Sequence, residues 1–124
     1  MLNPTGLIAF VATCDPSRAR DFYQNTLGLT LRADEPHALV FDAHGSLLLI
    51  SKVSHFTPAA HTVLGWQVAD ILAEVTELTG RGVLFERFAG FAQDELGIYV
   101  FPNGNKVAWF KDPDGNLLSL SQFD

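Results

Sequence analysis

The chain has 124 residues, of which 48% are hydrophobic and 18% charged, with a formal net charge of −6. This composition is typical of a folded domain and excludes a disordered one. No apolar run approaches the roughly 18 residues that a bilayer span needs, so we expect no membrane partner. The few basic residues are scattered, which argues against a nucleic-acid partner. The one cysteine, Cys14, cannot form an internal disulfide, and no basic leader is present, so we expect a cytoplasmic location.

The first half of the chain reads as strand, helix and three strands. Residues 7–13 form an apolar run, and Asp15 and Pro16 are typical of a helix start. Apolar residues then recur at helical spacing until Gly28 ends the helix. Three apolar runs separated by turn residues predict strands over residues 29–34, 37–41 and 46–51.

The second half repeats this order. A strand over residues 62–68 precedes Asp70, which caps a helix that ends at Gly80 and Gly82. Strands are predicted over residues 83–88, 106–111 and 117–123. The two capping aspartates lie 55 residues apart, whereas the late hairpins superpose without a gap at an offset of 70 and pair Asp42 with Asp112. The second copy therefore carries 15 extra residues, which we place in the segment 88–105.

This repeat predicts an α+β fold made of two βαβββ modules. Module one spans about residues 7–53 and module two about residues 62–123, within a single domain over residues 1–124. We expect one curved, mixed sheet of eight strands, with the helices on its outer face and a cup inside. The alternation of strand side chains directs Ile8 and Phe10 into the cup if Val11 packs on the helices, and likewise directs Val63 and Gln67.

The motifs that carry a family resemblance lie at both ends of the chain. They are Phe22-Tyr23 and Leu27-Gly28-Leu29 early, and the run from Ala108 to Leu120, AWFKDPDGNLLSL, late. Together with the repeat, they resemble the vicinal oxygen chelate superfamily, which includes glyoxalase I, extradiol dioxygenases, fosfomycin-modifying enzymes and bleomycin-binding resistance proteins. The resemblance covers about residues 7–123 and implies the two-module fold. It does not select a function, because members do different chemistry on one scaffold.

The resemblance also implies where a divalent metal would be held. Enzymes of the family use two positions per module, occupied by His, Glu or Gln. The matching positions here are Ile8, Leu49, Val63 and Ser119. Three are hydrocarbon and one is a neutral hydroxyl, whereas such metals need imidazole or carboxylate donors. We therefore expect no metal and no other cofactor.

Other reactive groups are sparse. A displaced metal site could involve His61 with Glu86, Asp94 or Glu95, although an isolated histidine is more often a solvated residue. Glu86 could act as a general base if it faced the cup, but an exposed strand carboxylate is the commoner case. Cys14 precedes a helix start, and the chain has no nucleophile elbow, P-loop or dinucleotide fingerprint.

The predicted cup has the composition of a small-molecule pocket. Its expected ligand-binding residues are Ile8, Phe10, Leu49, Val63, Gln67, Trp109 and Ser119. The segment 88–105 contributes four aromatic residues among glycines, which suits a flap or wall over the cup, although such residues also fill cores and interfaces. We expect a metal-independent binding protein for a small, largely apolar or aromatic molecule, and a homodimer. The alternatives are a lyase, isomerase or dioxygenase with an atypical site, and an interaction module whose cup is plugged by its own side chains.

Overall fold

Each half of the chain folds as one βαβββ module in the computed structural model, which describes all 124 residues. Two compact units result, Met1–Thr57 and Pro58–Asp124. The predicted α+β class with two such modules is confirmed. None of the helices has the length and apolarity that a membrane crossing demands.

Module one contains four strands and one helical segment. The elements are β1 (Ile8–Thr13), α1 (Pro16–Asp21), a π-helical turn (Phe22–Thr26), β2 (Thr30–Asp34), β3 (Ala38–Asp42) and β4 (Leu47–Lys52). The strand order is β1-β4-β3-β2, with β1 parallel to β4 and the other neighbours antiparallel.

The helix of module one begins where the sequence predicts. The Asp15 carboxylate accepts a hydrogen bond from the backbone N–H of Arg18, and Pro16 occupies the first turn. The helix then widens into the π turn, in which the N–H of Leu27 donates to the carbonyl of Phe22 at 2.9 Å. Tyr23 is fully buried in this turn and lies 6.0 Å from the Phe41 ring. The wider turn thus anchors the end of the helix in the core.

Module two has the same plan. Its elements are β5 (Leu64–Gln67), α2 (Ile71–Gly80), β6 (Tyr99–Val100), β7 (Lys106–Lys111) and β8 (Leu117–Gln122), with strand order β5-β8-β7-β6. The Asp70 side chain caps α2 by accepting from the N–H of Ala73, and the Gln122 side chain accepts from the N–H of Ile71 at 2.9 Å. These bonds satisfy two amides that the first turn leaves without helical partners.

Strand register shows that the two modules are copies of one pattern. Ala9 pairs with Leu48 in module one, and Leu64 pairs with Leu118 in module two. The first members of these pairs are separated by 55 residues and the second by 70, the two offsets that the sequence predicts. The same parallel pairing is therefore built twice.

The prediction that the two late hairpins superpose without a gap is wrong by one residue. Phe41 pairs with Leu48, and Phe110 pairs with Leu118, so the strand before the turn is offset by 69 residues while the strand after it is offset by 70. The turn of module two holds the extra residue. It is braced by Asp112, whose carboxylate accepts from the backbone N–H groups of Asp114 and Asn116. By strand pairing, Asp42 at the end of β3 is equivalent to Lys111 rather than to Asp112, although its carboxylate also accepts from a turn N–H, that of Gly45. With an offset of 69 before the turn, 14 rather than 15 extra residues precede the hairpin.

The prediction of a strand over residues 83–88 is also wrong. Only Phe85 bridges β7, opposite Phe110, and the N–H of Glu86 donates to the carbonyl of Trp109. The chain then leaves the sheet and returns as β6, where Tyr99 pairs with Val107. The outer edge of β7 is therefore shared by two short pieces of chain, because the inserted residues are placed in the middle of the predicted edge strand. We call residues 86–98 the insertion loop.

The eight strands form two four-stranded sheets rather than one continuous sheet. The hydrogen-bond ladders run within the modules, and each sheet ends at its own outer strands: β1 and β2 in module one, β5 and β6 in module two.

One face of each sheet carries the core. In β1, Val11 and Thr13 are buried while Ile8 and Phe10 are 48% and 58% exposed, which is the alternation expected for a strand covered on one face. The largest buried side chains of the two cores are Tyr23, Leu39, Phe41, Leu48 and Ile50 in module one, and Ile71, Val75, Phe110 and Leu118 in module two. We call the face opposite this core the open face of each sheet.

A charged cluster ties together three elements of module one. The Asp34 carboxylate at the end of β2 accepts hydrogen bonds from the Lys52 ammonium and from the Arg20 guanidinium, the latter at 3.1 Å. The Lys52 ammonium also donates to the carbonyl of Glu35 at 2.7 Å. The hydrogen bond from Lys52, followed by the positive charges of Lys52 and Arg20, lowers the pKa of Asp34 below its ordinary value of 3.8.

This lowered pKa predicts a pH-dependent contribution to stability. A carboxylate whose pKa is lower in the folded chain stabilises the fold at a pH above its unfolded value, and this effect is lost as the pH falls through the folded value. Asp34→Asn should therefore lower the denaturation midpoint slightly at pH 7, and the two proteins should converge in strong acid. Urea unfolding at both pH values measures this; an undiminished difference in acid would contradict it.

Candidate functional site

The open face of the second sheet brings several predicted site residues together. Residues paired across neighbouring strands project to the same face. Gly65 pairs with Ser119, and Ser119 pairs with Trp109, so these three form one row across β5, β8 and β7. The hydrogen bond from Glu86 to the Trp109 carbonyl, 2.7 Å long, extends this row to the insertion loop.

A neighbouring row is formed by Gln67, Ser121, Val107 and Tyr99, again by direct pairing. The predicted residue Gln67 is exposed at the end of β5. Val63 lies just before β5, where its N–H donates to the carbonyl of Leu117, and its side chain is 38% exposed. The open face of module two is thus apolar and aromatic, with hydroxyl and amide groups along the β5 and β8 side.

Five aromatic side chains form a continuous cluster on this face, which we call the aromatic wall: Phe88, Phe91, Tyr99, Phe101 and Trp109. The Trp109 ring centroid lies 5.3 Å from that of Phe88 and 5.2 Å from that of Phe91. Phe91 lies 4.8 Å from Tyr99, which lies 4.9 Å from Phe101. Three of these contacts are edge-to-face, the arrangement that aromatic pairs favour. Phe91 and Phe101 remain 40% and 38% exposed, so ring surface is available for contact.

Polar groups in the insertion loop hold the wall and were missed in the sequence. The Gln93 amide donates to the carbonyls of Glu86 and Gly97, each at 2.8 Å, and its oxygen accepts from the N–H of Phe88 at 2.9 Å. The Asp94 carboxylate accepts from the N–H groups of Leu96 and Ile98. Asp94 is therefore a turn residue of the loop, and neither residue had a pattern that marks such a role.

One ion pair lies beside the aromatic wall. The Glu86 carboxylate and the Lys111 ammonium are 3.6 Å apart, and their side chains are 31% and 51% exposed. Since Glu86 lies opposite Trp109 in the row, its side chain shares the open face. It is therefore a half-buried, ion-paired carboxylate rather than the exposed strand carboxylate that the sequence favoured.

Close packing between β5 and β8 requires glycine at position 65. A Cβ atom there would lie 2.5 Å from the Ser119 hydroxyl oxygen and 3.2 Å from the Ser119 carbonyl oxygen. The Ser119 side chain, which is 8% exposed, thus occupies the space above Gly65. A side chain at position 65 would displace this hydroxyl from its place in the row.

The open face of the first sheet carries the remaining predicted residues. Phe10 pairs with Leu49, and Leu49 pairs with Val40, so these side chains form an apolar row, with Ile8 in the next row. A groove of about 590 Å³ lies on this module, and it is lined by Arg32, Ala33, Glu35, Val40, Asp42, Gly45, Ser46 and Leu47. It contains none of the predicted site residues, although Val40 borders Leu49.

The four positions that the family would use for metal do not fit one. Ile8 and Leu49 lie on the open face of the first sheet, and Ser119 lies on that of the second with Val63 beside it. Hydrocarbon side chains have no lone pair to donate, and a single neutral hydroxyl is a poor ligand for a transition metal. His61 is exposed, and no group of three His, Cys, Asp or Glu side chains could hold a metal ion.

Known structures share this fold over the whole chain. A putative glyoxalase family protein from Bacillus anthracis has 19% identity and a TM-score of 0.76, with 100% of both chains covered. TnmS3, an antibiotic binding protein from Streptomyces sp. CB03234, has 24% identity and a TM-score of 0.74, with 100% of this chain and 99% of that chain covered. Lactoylglutathione lyase from Agrobacterium tumefaciens has 16% identity and a TM-score of 0.74, with 97% and 95% covered. At these identities the likeness concerns the fold alone.

No curated protein sequence matches the chain significantly. The family model of the Glyoxalase/Bleomycin resistance protein/Dioxygenase superfamily matches residues 5–120, which is nearly the entire chain. With the doubled βαβββ module and its repeated register, this match shows that the chain belongs to the Glyoxalase/Bleomycin resistance protein/Dioxygenase superfamily.

Proposed function

We propose that this protein binds a small, largely apolar or aromatic molecule, without a metal, against the aromatic wall. The observation that carries the proposal is the cluster of five rings on the open face of the second sheet, two of them exposed by more than a third. Large aromatic side chains combine a wide apolar surface with few rotatable bonds, so they bind flat ligands at a low entropic cost.

The proposed ligand contacts extend the residues expected from the sequence. Trp109 supplies a stacking surface, and Ser119 and Gln67 supply a hydroxyl and an amide that can orient a polar substituent. Val63 adds apolar surface beside β5. In module one, Ile8, Phe10 and Leu49 offer an apolar surface of the same kind, and we propose that this surface can also bind such a molecule.

Burial of apolar surface sets the expected affinity. At about 25 cal/mol per Å², covering a ring-sized molecule contributes several kcal/mol. Loss of translational and rotational freedom offsets much of this gain. An arbitrary aromatic probe should therefore bind with micromolar rather than nanomolar affinity.

The superfamily offers precedent for such a role. TnmS3, which shares the fold, is an antibiotic binding protein. The donor set at the four family positions also favours binding over metal-assisted catalysis, because hydrocarbon side chains cannot ligate the ion on which that catalysis relies.

A second candidate is a lyase, isomerase or dioxygenase with an atypical site. One observation favours the first two: Glu86 and Lys111, 3.6 Å apart on the open face, are an acid–base pair beside the aromatic wall. A carboxylate and an ammonium in such a position could move a proton on a bound ligand. The third reading, a module plugged by its own rings, rests on the contacts that Phe88 and Phe91 make with Trp109.

The binding proposal predicts a loss of affinity when Trp109 is removed. Isothermal titration of 2-naphthol should give a micromolar dissociation constant, which Trp109→Leu should raise about fivefold because stacking contributes about 1 kcal/mol beyond buried area. Val63→Asp should also weaken binding by placing a carboxylate in the apolar lining. The matched control is Trp66→Leu, since Trp66 pairs with the buried Leu120 and lies away from the open face. Equal losses in both tryptophan variants would argue against the wall as the site.

The same proposal predicts that the purified, untagged protein carries no stoichiometric transition metal. Elemental analysis after dialysis measures zinc, iron, manganese and nickel per chain. About one equivalent of any of them, lost in His61→Ala, would show a displaced metal site and overturn the metal-independent reading.

We also propose that the protein is a cytoplasmic homodimer. Isologous pairing of identical chains is the commonest oligomeric arrangement, and it would give the two repeated modules equivalent surroundings. Light scattering at micromolar concentration should give twice the 13.6 kDa chain mass. A monomer mass under these conditions would contradict the dimer.

A further inference from the structure

We propose that Gln93 is a positioning residue that fixes the shape of the aromatic wall before a ligand arrives. This inference rests on the proposed function, because it concerns the same binding surface. Gln93 does not belong to the aromatic wall and is not among the proposed ligand contacts. Its role is to hold the backbone from which two of the five rings project.

The three hydrogen bonds of Gln93 join the two ends of the insertion loop. At the start of the loop, the side chain bonds the carbonyl of Glu86 and the N–H of Phe88; at the end, it bonds the carbonyl of Gly97. The side chain is half-buried, so these bonds are partly shielded from competing water. A single side chain thus closes the loop from within.

The chemistry of this position requires an amide. Two acceptors, the carbonyls of Glu86 and Gly97, need two donors on one atom, while the N–H of Phe88 needs an acceptor on the other. Only Asn and Gln carry an NH₂ group and a carbonyl oxygen together at a side-chain end. A carboxylate keeps the acceptor but presents negative charge to two carbonyl oxygens, and a thioether has no strong partner for any of the three groups.

The three hydrogen bonds of Gln93, which we call the Gln93 clamp, act directly on the neighbours of Trp109. Phe88 and Phe91 lie inside the span that Gln93 closes, and both rings contact Trp109. Glu86 is fixed on both sides, since its N–H donates to the carbonyl of Trp109 and its carbonyl accepts from Gln93. The sheet therefore fixes the start of the loop at Glu86. The Gln93 amide then fixes the backbone that bears the Phe88 and Phe91 rings relative to Glu86.

The far end of the loop is also constrained. Gly97 has a φ of 94°, which favours glycine, and a Cβ atom there would lie 3.0 Å from the Cβ of Phe85. Gly97 packs closely against Phe85, and its carbonyl lies within hydrogen-bonding distance of the Gln93 amide. A wall held at both ends is preorganised, and preorganisation raises affinity by reducing the entropy lost on binding.

The test uses two variants of position 93 in a Trp66→Phe background, so that Trp109 is the one tryptophan reporter. Gln93→Met removes all three hydrogen bonds at similar volume, and Gln93→Glu removes only the two donors. The matched control is Arg87→Gln, which removes the hydrogen bond from the Arg87 guanidinium to the Glu95 carbonyl in the same loop but leaves the Gln93 clamp intact. Near-ultraviolet circular dichroism reports the packing of the aromatic wall, and calorimetry with 2-naphthol reports affinity.

We expect both Gln93 variants to lose near-ultraviolet signal and to bind 2-naphthol about tenfold more weakly, the equivalent of about 1.4 kcal/mol. Far-ultraviolet signal should be retained, and Arg87→Gln should match the background protein. In amide exchange, the Phe88 N–H should lose protection in Gln93→Met and keep part of it in Gln93→Glu.

Unchanged near-ultraviolet signal and affinity in both variants would overturn the inference, as would equal losses in Arg87→Gln. If the background protein itself binds no 2-naphthol, the proposed function fails, and the spectra and amide exchange still decide whether Gln93 holds the wall.

Discussion

The structure depends on one constraint: each four-stranded sheet has two faces, and its module provides one helical segment to cover them. Strand side chains alternate, so the residues that pack beneath α1 or α2 leave an equal number on the open face. In a stable domain such residues are polar unless something covers them. Here they include Ile8, Phe10, Leu49 and Trp109, which are apolar or aromatic. An uncovered face of this composition is expected to hold a ligand, a loop or another chain.

Module two covers part of its open face with a loop, which module one lacks. Its insertion loop interrupts the outer strand and brings Phe88 and Phe91 onto Trp109, while a glutamine amide closes the loop beneath them. The equivalent of Trp109 in module one is Val40, given the offset of 69 in this strand. Copies of one pattern have thus diverged on their open faces while keeping the same strand register.

Much of the fold follows from local chemistry in the sequence. Asp15 and Asp70 mark both helix starts, because a carboxylate at that point satisfies amides that have no other partner. Alternation identifies the buried face of β1. The register of the late hairpin could not be obtained in this way, since both turns contain Asp and Gly and the added residue in module two has no local signature. The split of the strand at Phe85 was equally hidden: residues 83–88 have strand composition, but only Phe85 bridges β7, and only the N–H of Glu86 bonds it beyond that point.

The candidate site was predictable in part for the same reason. Trp109 and Ser119 could be assigned to one face by counting along strands, and the family resemblance identified positions that lack metal donors. Gln93 could not be found, because its role depends on three backbone groups that the loop brings together.

The most direct test of the central claim is to titrate ¹⁵N-labelled protein with 2-naphthol and follow backbone amide shifts. The account predicts the largest changes at Gly65, Phe91, Trp109 and Ser119, with little change along α2. Changes concentrated on α2 or in the module-one groove lined by Arg32, Val40 and Leu47, with the aromatic wall unaffected, would contradict it.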